Sequence, residues 1–364
     1  MNKVKKIFLV ILFVLFIIGV ITFMSGIIYY YNSLGCFEKS ENGQDIKVQI
    51  AEGTSIAEIA ELLNEKKIIK NPFTFKVYLK LNNKINLQAG TYVFNNGKDN
   101  LEQVVTKLNM GEVFDESVTI TFVEGKNMRY IAKTISEYTD NTEEDVYEIL
   151  EDSEYIKSLI DEYWFITEEI TDENIYYPLE GYLFPDTYTF KNKSVSVKEI
   201  FNHILGYTDK YLSSHRAEIE ESGLTVHQLL TLASIAELEG SNFEDRQEII
   251  GVFYNRLEKE MPLGSDVTTY YAVKKEMADG DLTKAEINID NPYNTRNSNM
   301  AGYIPIGPID NPSKDSIEAT IKPKETDAFY FVADKNKKVY FSKDYKEHQT
   351  MIKDLKDANL WYEY

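Results

Sequence analysis

The chain is poor in the residues that most enzyme classes depend on. Of its 364 residues only Cys36 is a cysteine, so no disulfide can form within the chain, and an exported portion must be stable through its core alone. Histidine is almost as scarce: His203, His215, His227 and His348 include no pair at a metal-ligand spacing, and the solitary cysteine adds no partner. A metal site therefore has no support, and no cofactor is expected. Basic residues are outnumbered, 39 against 59 acidic ones, giving a formal net charge of -20. A nucleic acid would be repelled rather than release counterions, so no nucleic-acid partner is expected. There is no GxSxG and no Gly-rich phosphate loop, which removes serine-hydrolase and nucleotide-dependent readings.

What is present begins with a membrane signal. Lys3, Lys5 and Lys6 precede an apolar run from Ile7 to Tyr31 with no interior charge. That is long enough to cross a hydrocarbon core of about 30 Å as one helix. Basic residues before the run and acidic ones soon after it predict a cytoplasmic tail (1–6), a transmembrane helix (7–31) and an extracytoplasmic remainder. A cleaved signal peptide shares the basic head, but this run is long for one and IIYYYNSLG has no small-x-small cleavage site. SLGC at Ser33–Cys36 is a faint lipoprotein signal, interrupted by the Tyr cluster and lacking the expected aliphatic leading residue.

After a polar linker (32–45), residues 46–116 read as a small α+β unit. VQIAEGTSIAEIAELLNEKKII predicts a strand, a Gly turn and an amphipathic helix; LQAGTYVF and LEQVVTKLNMG follow as strand-like and helical. This unit resembles a LysM-like module. AEGTSIAEIA is echoed by VEGKNMRYIA at Val123–Ala132, so the strand-Gly-helix arrangement is expected twice. The second copy opens the larger domain (117–364). From Ile131 to Tyr177 the chain is helical and acidic, a solvated face without a catalytic role. The carboxyl end predicts a β-hairpin, FYFVAD and KVYFS around KNKK, then an amphipathic helix holding Tyr345 and His348.

The chemistry centres on Thr225–Met261, two helical patterns on either side of a short acidic bend. In the first, Leu229, Leu232 and Ala236 share one side, and Leu230, Ala233 and Glu237 stack on the neighbouring one. Glu237 thus sits at the margin of an apolar face, where lost hydration raises a carboxyl pKa and suits it to donate a proton. The same spacing also describes an ordinary solvated or salt-bridged helix residue. Glu239 lies about 200° around the helix from Glu237, so its replacement is expected to be nearly harmless.

Three loops follow. LGSDVTTYYAV puts Asp266, Thr268 and Thr269 into a turn, and NPYNTR (Asn291–Arg296) and YIPIGPIDNPS (Tyr303–Ser313) are predicted to expose amides and aromatics. Earlier, YYPLEGYLFPDTYTF carries Glu180 and Asp186 in a Pro-framed extended stretch. This is the composition of a carbohydrate cleft and also of plain helix connections.

A resemblance decides between them. LEGYLFPDTY, LASIAELEG, VFYNRL, LGSDVTTYYAV, NPYNTR, IPIGPIDNPS and FYFVADKNKKVYFSKDYKEH occur in the order found in the YceG-like family of endolytic murein transglycosylases, which the chain resembles over residues 178–350. The fold class is accordingly α+β: one transmembrane helix, the LysM-like module and a mixed α+β catalytic domain with its active core at 178–350. The family's catalytic glutamate falls on Glu237. Its usual following Lys is Leu238 here, which removes a cation, and Gly240 stands where Thr is commoner. The supporting or substrate-binding candidates are Glu180, Asp266, Thr268, Tyr293, Asn294 and Asn311.

The resemblance implies peptidoglycan glycan strands as substrate, cut near the membrane, with penicillin-binding synthases and division or elongation proteins as neighbours. It implies a water-free cut in which Glu237 protonates the glycosidic oxygen and the muramic C6 hydroxyl closes a 1,6-anhydro ring. A hydrolysing muramidase and a non-catalytic wall-binding or scaffolding protein are the alternatives.

Overall fold

The computed structural model describes residues 3–40 and 43–361; the first two residues of the expected tail, and residues 41 and 42 of the expected linker, lie outside the described residues. The chain forms two compact units, Met1–Glu116 and Ser117–Tyr364.

The first unit begins with α1 (Lys3–Ser33), an apolar helix long enough to cross a membrane. Then come β1 (Asp45–Ile50), α2 (Ile56–Glu65), α3 (Pro72–Leu81), β2 (Gly90–Asn95) and α4 (Leu101–Met110). The strands pair antiparallel, Asp45 opposite Asn95 and Ile50 opposite Gly90. Their inward residues, Val48, Ile50, Tyr92 and Phe94, are buried with Ile59 and Leu63 of α2, Phe75 of α3 and Val104 and Leu108 of α4. Capping boxes start α2 at Ser55 and α4 at Asn100, each side chain accepting from the third helical N–H while that residue's side chain returns the bond. Residues 73–81, FTFKVYLKL, are helical as α3, started by the Asn71 cap and Pro72 at its first turn.

The second unit repeats the opening: β3 (Val118–Thr121), a left-handed Gly125 (φ +67°) in the place of Gly53 (φ +81°), then α5 (Met128–Tyr138). α6 (Glu143–Glu151) and α7 (Ser153–Glu162) carry the acidic sequence, and β4 (Thr187–Phe190) returns to pair antiparallel with β3. Next are α8 (Val197–Ser214), α9 (Arg216–Ser222), α10 (Val226–Glu239), α11 (Phe243–Glu258), α12 (Asp266–Ala272), α13 (Lys284–Ile287) and α14 (Lys314–Ile321). The hairpin of β5 (Tyr330–Ala333) and β6 (Val339–Ser342) and then α15 (Tyr345–Asp357) close the chain.

α10 is the spine of this unit. Leu229, Leu230 and Ala233 enter one core with α5, α8 and α14, and Leu232, Ile235 and Ala236 enter another with α11 and α12. It is buried all round from Leu229 to Ala236 rather than on the two neighbouring sides that its spacing suggests. Glu237 is where the helix emerges.

Candidate active site

α10 starts at a capping box formed by Thr225 and Gln228, and ends at Gly240, whose N–H donates to the carbonyl of Ala236. Asn242 then caps α11 by accepting from the N–H of Asp245. This bend brings Arg246, one turn into α11, back over the end of α10. Its Nη2 donates to Oε1 of Glu237 (2.8 Å), its Nη1 to Oγ of Ser313 (3.2 Å) and its Nε to the carbonyl of Gly240 (3.2 Å). A Cβ on residue 240 would lie 2.6 Å from Cγ of Arg246 and 3.1 Å from its backbone nitrogen, so this approach requires glycine.

The other oxygen of Glu237 docks on the N-terminus of α14. Oε2 accepts from the backbone N–H of Ser313 (3.0 Å), from Oγ of Ser313 and from Oγ of Ser316 (2.6 Å). The helix dipole favours negative charge there. The Glu237 side chain is only 7% exposed and Arg246 13%. Sequence reading supposed that Leu238, in the place of a lysine, leaves Glu237 without a cation; Arg246 of the next helix supplies one. On the remaining side lies Gly125, where an added Cβ would be 3.2 Å from Cγ of Glu237.

The loop from Ile309 to Ser313 ties these parts together. Ile309 N–H donates to Ser234 of α10, and Asn311 pairs with the chain beside Gly125: its N–H donates to the carbonyl of Lys126 and its carbonyl accepts from Gly125 N–H. Asn311 Oδ1 accepts from Leu183 N–H, and Nδ2 donates to the carbonyl of Lys126 and to Oε1 of Glu180. Glu180 is 2% exposed; its Oε2 accepts from Met128 N–H and the Tyr271 hydroxyl, both at 2.9 Å. It thereby caps α5 and links α12 to the loop. Burial pushes its carboxyl up to about 7, against the pull of those donors. Asn311 and Glu180 form one hydrogen-bonded unit beneath the loop that holds Glu237.

The other candidates lie elsewhere. NPYNTR is folded inward rather than exposed: Tyr293 and Asn294 are buried, Tyr293 among Tyr176 and Tyr271, and Asn294 holding the Thr269 hydroxyl and the carbonyls of Ile287 and Ile289. LGSDVTTYYAV is also not a turn at its centre, because Asp266 opens α12 and Thr268 is buried inside it, bonded to Thr295. These side chains join loops to one another because two hydroxyls and an amide can satisfy each other without water. Asp266 is exposed and paired with Arg296, and Asp186 accepts from the N–H of Thr187 ahead of β4. Glu239 does diverge from Glu237, but into a hydrogen bond from the Ser265 hydroxyl (2.5 Å), and burial raises its carboxyl to about 6. The divergence from Glu237 is as the spacing predicts, and the side chain has a buried partner of its own in Ser265.

Sequence reading missed Arg246, Ser313, Ser316 and Asp310. Asp310 is 1% exposed and neither carboxyl oxygen has a hydrogen-bond partner. Burial, reinforced by the charges of Glu237 and Glu180, pushes its carboxyl well above the ordinary range. It lines a cavity of about 510 Å³ beside Gly125 and Leu238, and thus next to Glu237. Among the described residues, no group of three or more His, Cys, Asp or Glu side chains is arranged to hold a metal ion.

The arrangement can hold one carboxyl group in either protonation state. Arg246 and the Ser313 N–H can only donate, but the hydroxyls of Ser313 and Ser316 can rotate from donor to acceptor. Oε1 accepts from Arg246 alone among the described residues, which leaves it capacity for a second hydrogen bond.

The sequence profile of the YceG-like family matches residues 48–354. An endolytic murein transglycosylase of Bacillus subtilis strain 168 is 36% identical over 326 residues, 89% of each chain. One of Streptococcus pneumoniae strain D39 is 33% identical over 330 residues, 86% of this chain and 59% of the relative. A crystal structure of a YceG-like protein from Listeria monocytogenes is 36% identical, with a TM-score of 0.60, over 85% of this chain and all of that one.

Proposed function

This chain belongs to the YceG-like family, and from that premise we propose that it is an endolytic murein transglycosylase in which Glu237 is the general acid and base. The observation that carries the reading is the fixing of Glu237 from three sides, by Arg246, Ser313 and Ser316, against Gly125, which lines a cavity. An acid so held cannot swing away from the bond it serves.

Glu237 protonates the oxygen between N-acetylmuramic acid and N-acetylglucosamine. The bond from muramic C1 to that oxygen breaks, the C6 hydroxyl oxygen bonds to C1, and its proton passes to the carboxylate left on Glu237. Atoms balance without water, and the strand ends in a 1,6-anhydro sugar. Proximity of the C6 hydroxyl lowers the barrier further. Negative charge on Glu237 stabilises the positive C1 as the bond breaks.

Hydrolysis is the second reading, because Asp310 is another carboxyl group close to Glu237, and a glycoside hydrolase uses two. A base must be ionised to activate water, and burial disfavours the ionised form of Asp310, which weighs toward the water-free route.

The apolar α1 supports a single-pass anchor, with the N-terminus cytoplasmic and residues 117–364 as an extracytoplasmic catalytic domain. The β1-α2-α3-β2 order with antiparallel strands supports a LysM-like wall-binding role for residues 46–116. An anchored cleft would meet strands as synthases release them, which makes penicillin-binding synthases and their division or elongation partners its neighbours.

The test is full-length protein in detergent acting on uncrosslinked glycan. Anhydro ends from the wild type, and a drop of about 100-fold or more in E237Q at unchanged folding, are expected. Reducing ends would establish hydrolysis, absence of product a binding role, and an active E237Q would overturn the assignment.

A further inference from the structure

The cavity beside Glu237 runs against the charge of the molecule. The chain carries 20 more acidic than basic residues, yet the walls of this cavity bring together Lys126, Arg129, Lys133 and Lys275. Three of its wall residues are acidic: Asp310 is buried at 1% exposure, which disfavours its charged form, and Glu276 is paired with Arg129 at 2.6 Å. Glu143 is the third. Lys275 is spent on Glu286 (3.7 Å) and the carbonyl of Asp281 (2.6 Å).

Two cations remain poorly matched. Lys126 makes no ion pair among the described residues and lies 5.5 Å from the centre of the Tyr130 ring. Lys133, in the second turn of α5, has only a long 3.9 Å contact with Glu137. Both are exposed side chains on the cavity wall. Lys126 is also fixed by its backbone, which pairs with Asn311 two residues before Ser313. Gly125, the neighbour of Lys126 on the same wall, is in turn packed against Glu237.

We propose that this cavity is a subsite for an acidic stem peptide on the glycan strand, with Lys126 and Lys133 binding its carboxylates. The inference rests on the murein reading above and goes beyond it. N-acetylglucosamine is neutral, and the lactyl oxygen of the muramic sugar carries the peptide, so on an uncrosslinked, lipid-free strand the peptide is the source of negative charge. At 510 Å³ the cavity falls within the range that holds ligands larger than a single functional group. The strand is thereby selected while its peptides are free, because crosslinking consumes peptide ends and fixes their position.

The experiment separates binding from turnover. Full-length E237Q protein is titrated in detergent with two lipid-free probes, uncrosslinked glycan bearing stem peptides and the same glycan stripped of them by an amidase. Peptide-bearing glycan is expected to bind about three- to tenfold more tightly, the range for two solvent-accessible ion pairs. The preference should shrink as salt is raised. In K126Q/K133Q combined with E237Q, the two probes should bind alike. Equal binding of both probes by E237Q, binding of neither, or a preference that survives the lysine substitutions overturns the proposal. A peptide preference in E237Q alongside a wild type that cleaves neither probe would leave this subsite standing and sink the transglycosylase reading instead.

Discussion

Arg246 and Glu237 belong to successive helices, nine residues apart, and meet at 2.8 Å because the bend between them has no side chain at Gly240. The guanidinium also reaches Ser313 and the Gly240 carbonyl, so one side chain registers the end of α10 against the start of α14.

Replacing that fork with a single ammonium should therefore cost orientation more than charge. R246K is expected to lower kcat about ten- to hundredfold with a smaller change in KM, since displacement of a catalytic group by about 1 Å has that effect. Steady-state kinetics on uncrosslinked glycan, with the fold checked by circular dichroism, measure it. A kcat within twofold of wild type would show that the serines alone hold Glu237.

Two glycines can be tested in the same way for different reasons. G240T places a branched side chain against Arg246 and should destabilise by about 1–3 kcal/mol while lowering kcat. G125A adds the cost of a left-handed φ of +67°, about 1–2 kcal/mol, and a methyl group 3.2 Å from Cγ of Glu237. Unfolding in urea gives the stability terms, and a G125A protein as stable and active as wild type would refute the crowding.

The pH dependence of stability should carry the mark of Glu180. Its folded value of about 7 lies above the ordinary 4.5, so the folded state keeps a proton that the unfolded chain has lost between those values. The contribution is fully present below about 4.5 and is lost as pH rises through 7. E180Q, which cannot ionise, should gain on the wild type in Tm as pH moves from 5 to 8. A constant difference across that range would show that Glu180 does not titrate there.

Glu239 offers a contrast of two substitutions. E239Q keeps an acceptor for Ser265 and should be close to neutral, whereas E239L leaves that hydroxyl unsatisfied and should cost about 1–3 kcal/mol. Chemical denaturation of both variants decides it, and equal stability would mean that the hydrogen bond contributes nothing.

The elements of this site were legible where local chemistry writes them. The spacing of α10 puts Glu237 at the edge of an apolar face, and the second strand-Gly-helix repeat forms as β3, Gly125 and α5. Partners were not legible, because Ser313 and Ser316 lie 76 and 79 residues beyond Glu237 and only tertiary packing joins them. The same limit explains NPYNTR: its polar side chains look exposed one by one, but Asn294 and Thr295 satisfy Thr269 and Thr268 and can all be buried together. Asp310 stood inside a quoted motif, yet nothing in IPIGPIDNPS says that its carboxyl is shut away from solvent.

Ser313 is both the cap of α14, accepting from Ser316 N–H, and a partner of Glu237. Fraying of that first helical turn therefore disarms the acid without unfolding the protein. Helix ends open at lower free energy than the cores they border. Catalysis and global structure should consequently have separate thermal limits: on heating, turnover fails reversibly several degrees before the cooperative melt, and cooling restores it. Coincident inactivation and unfolding curves would show that α14 opens only with the whole domain.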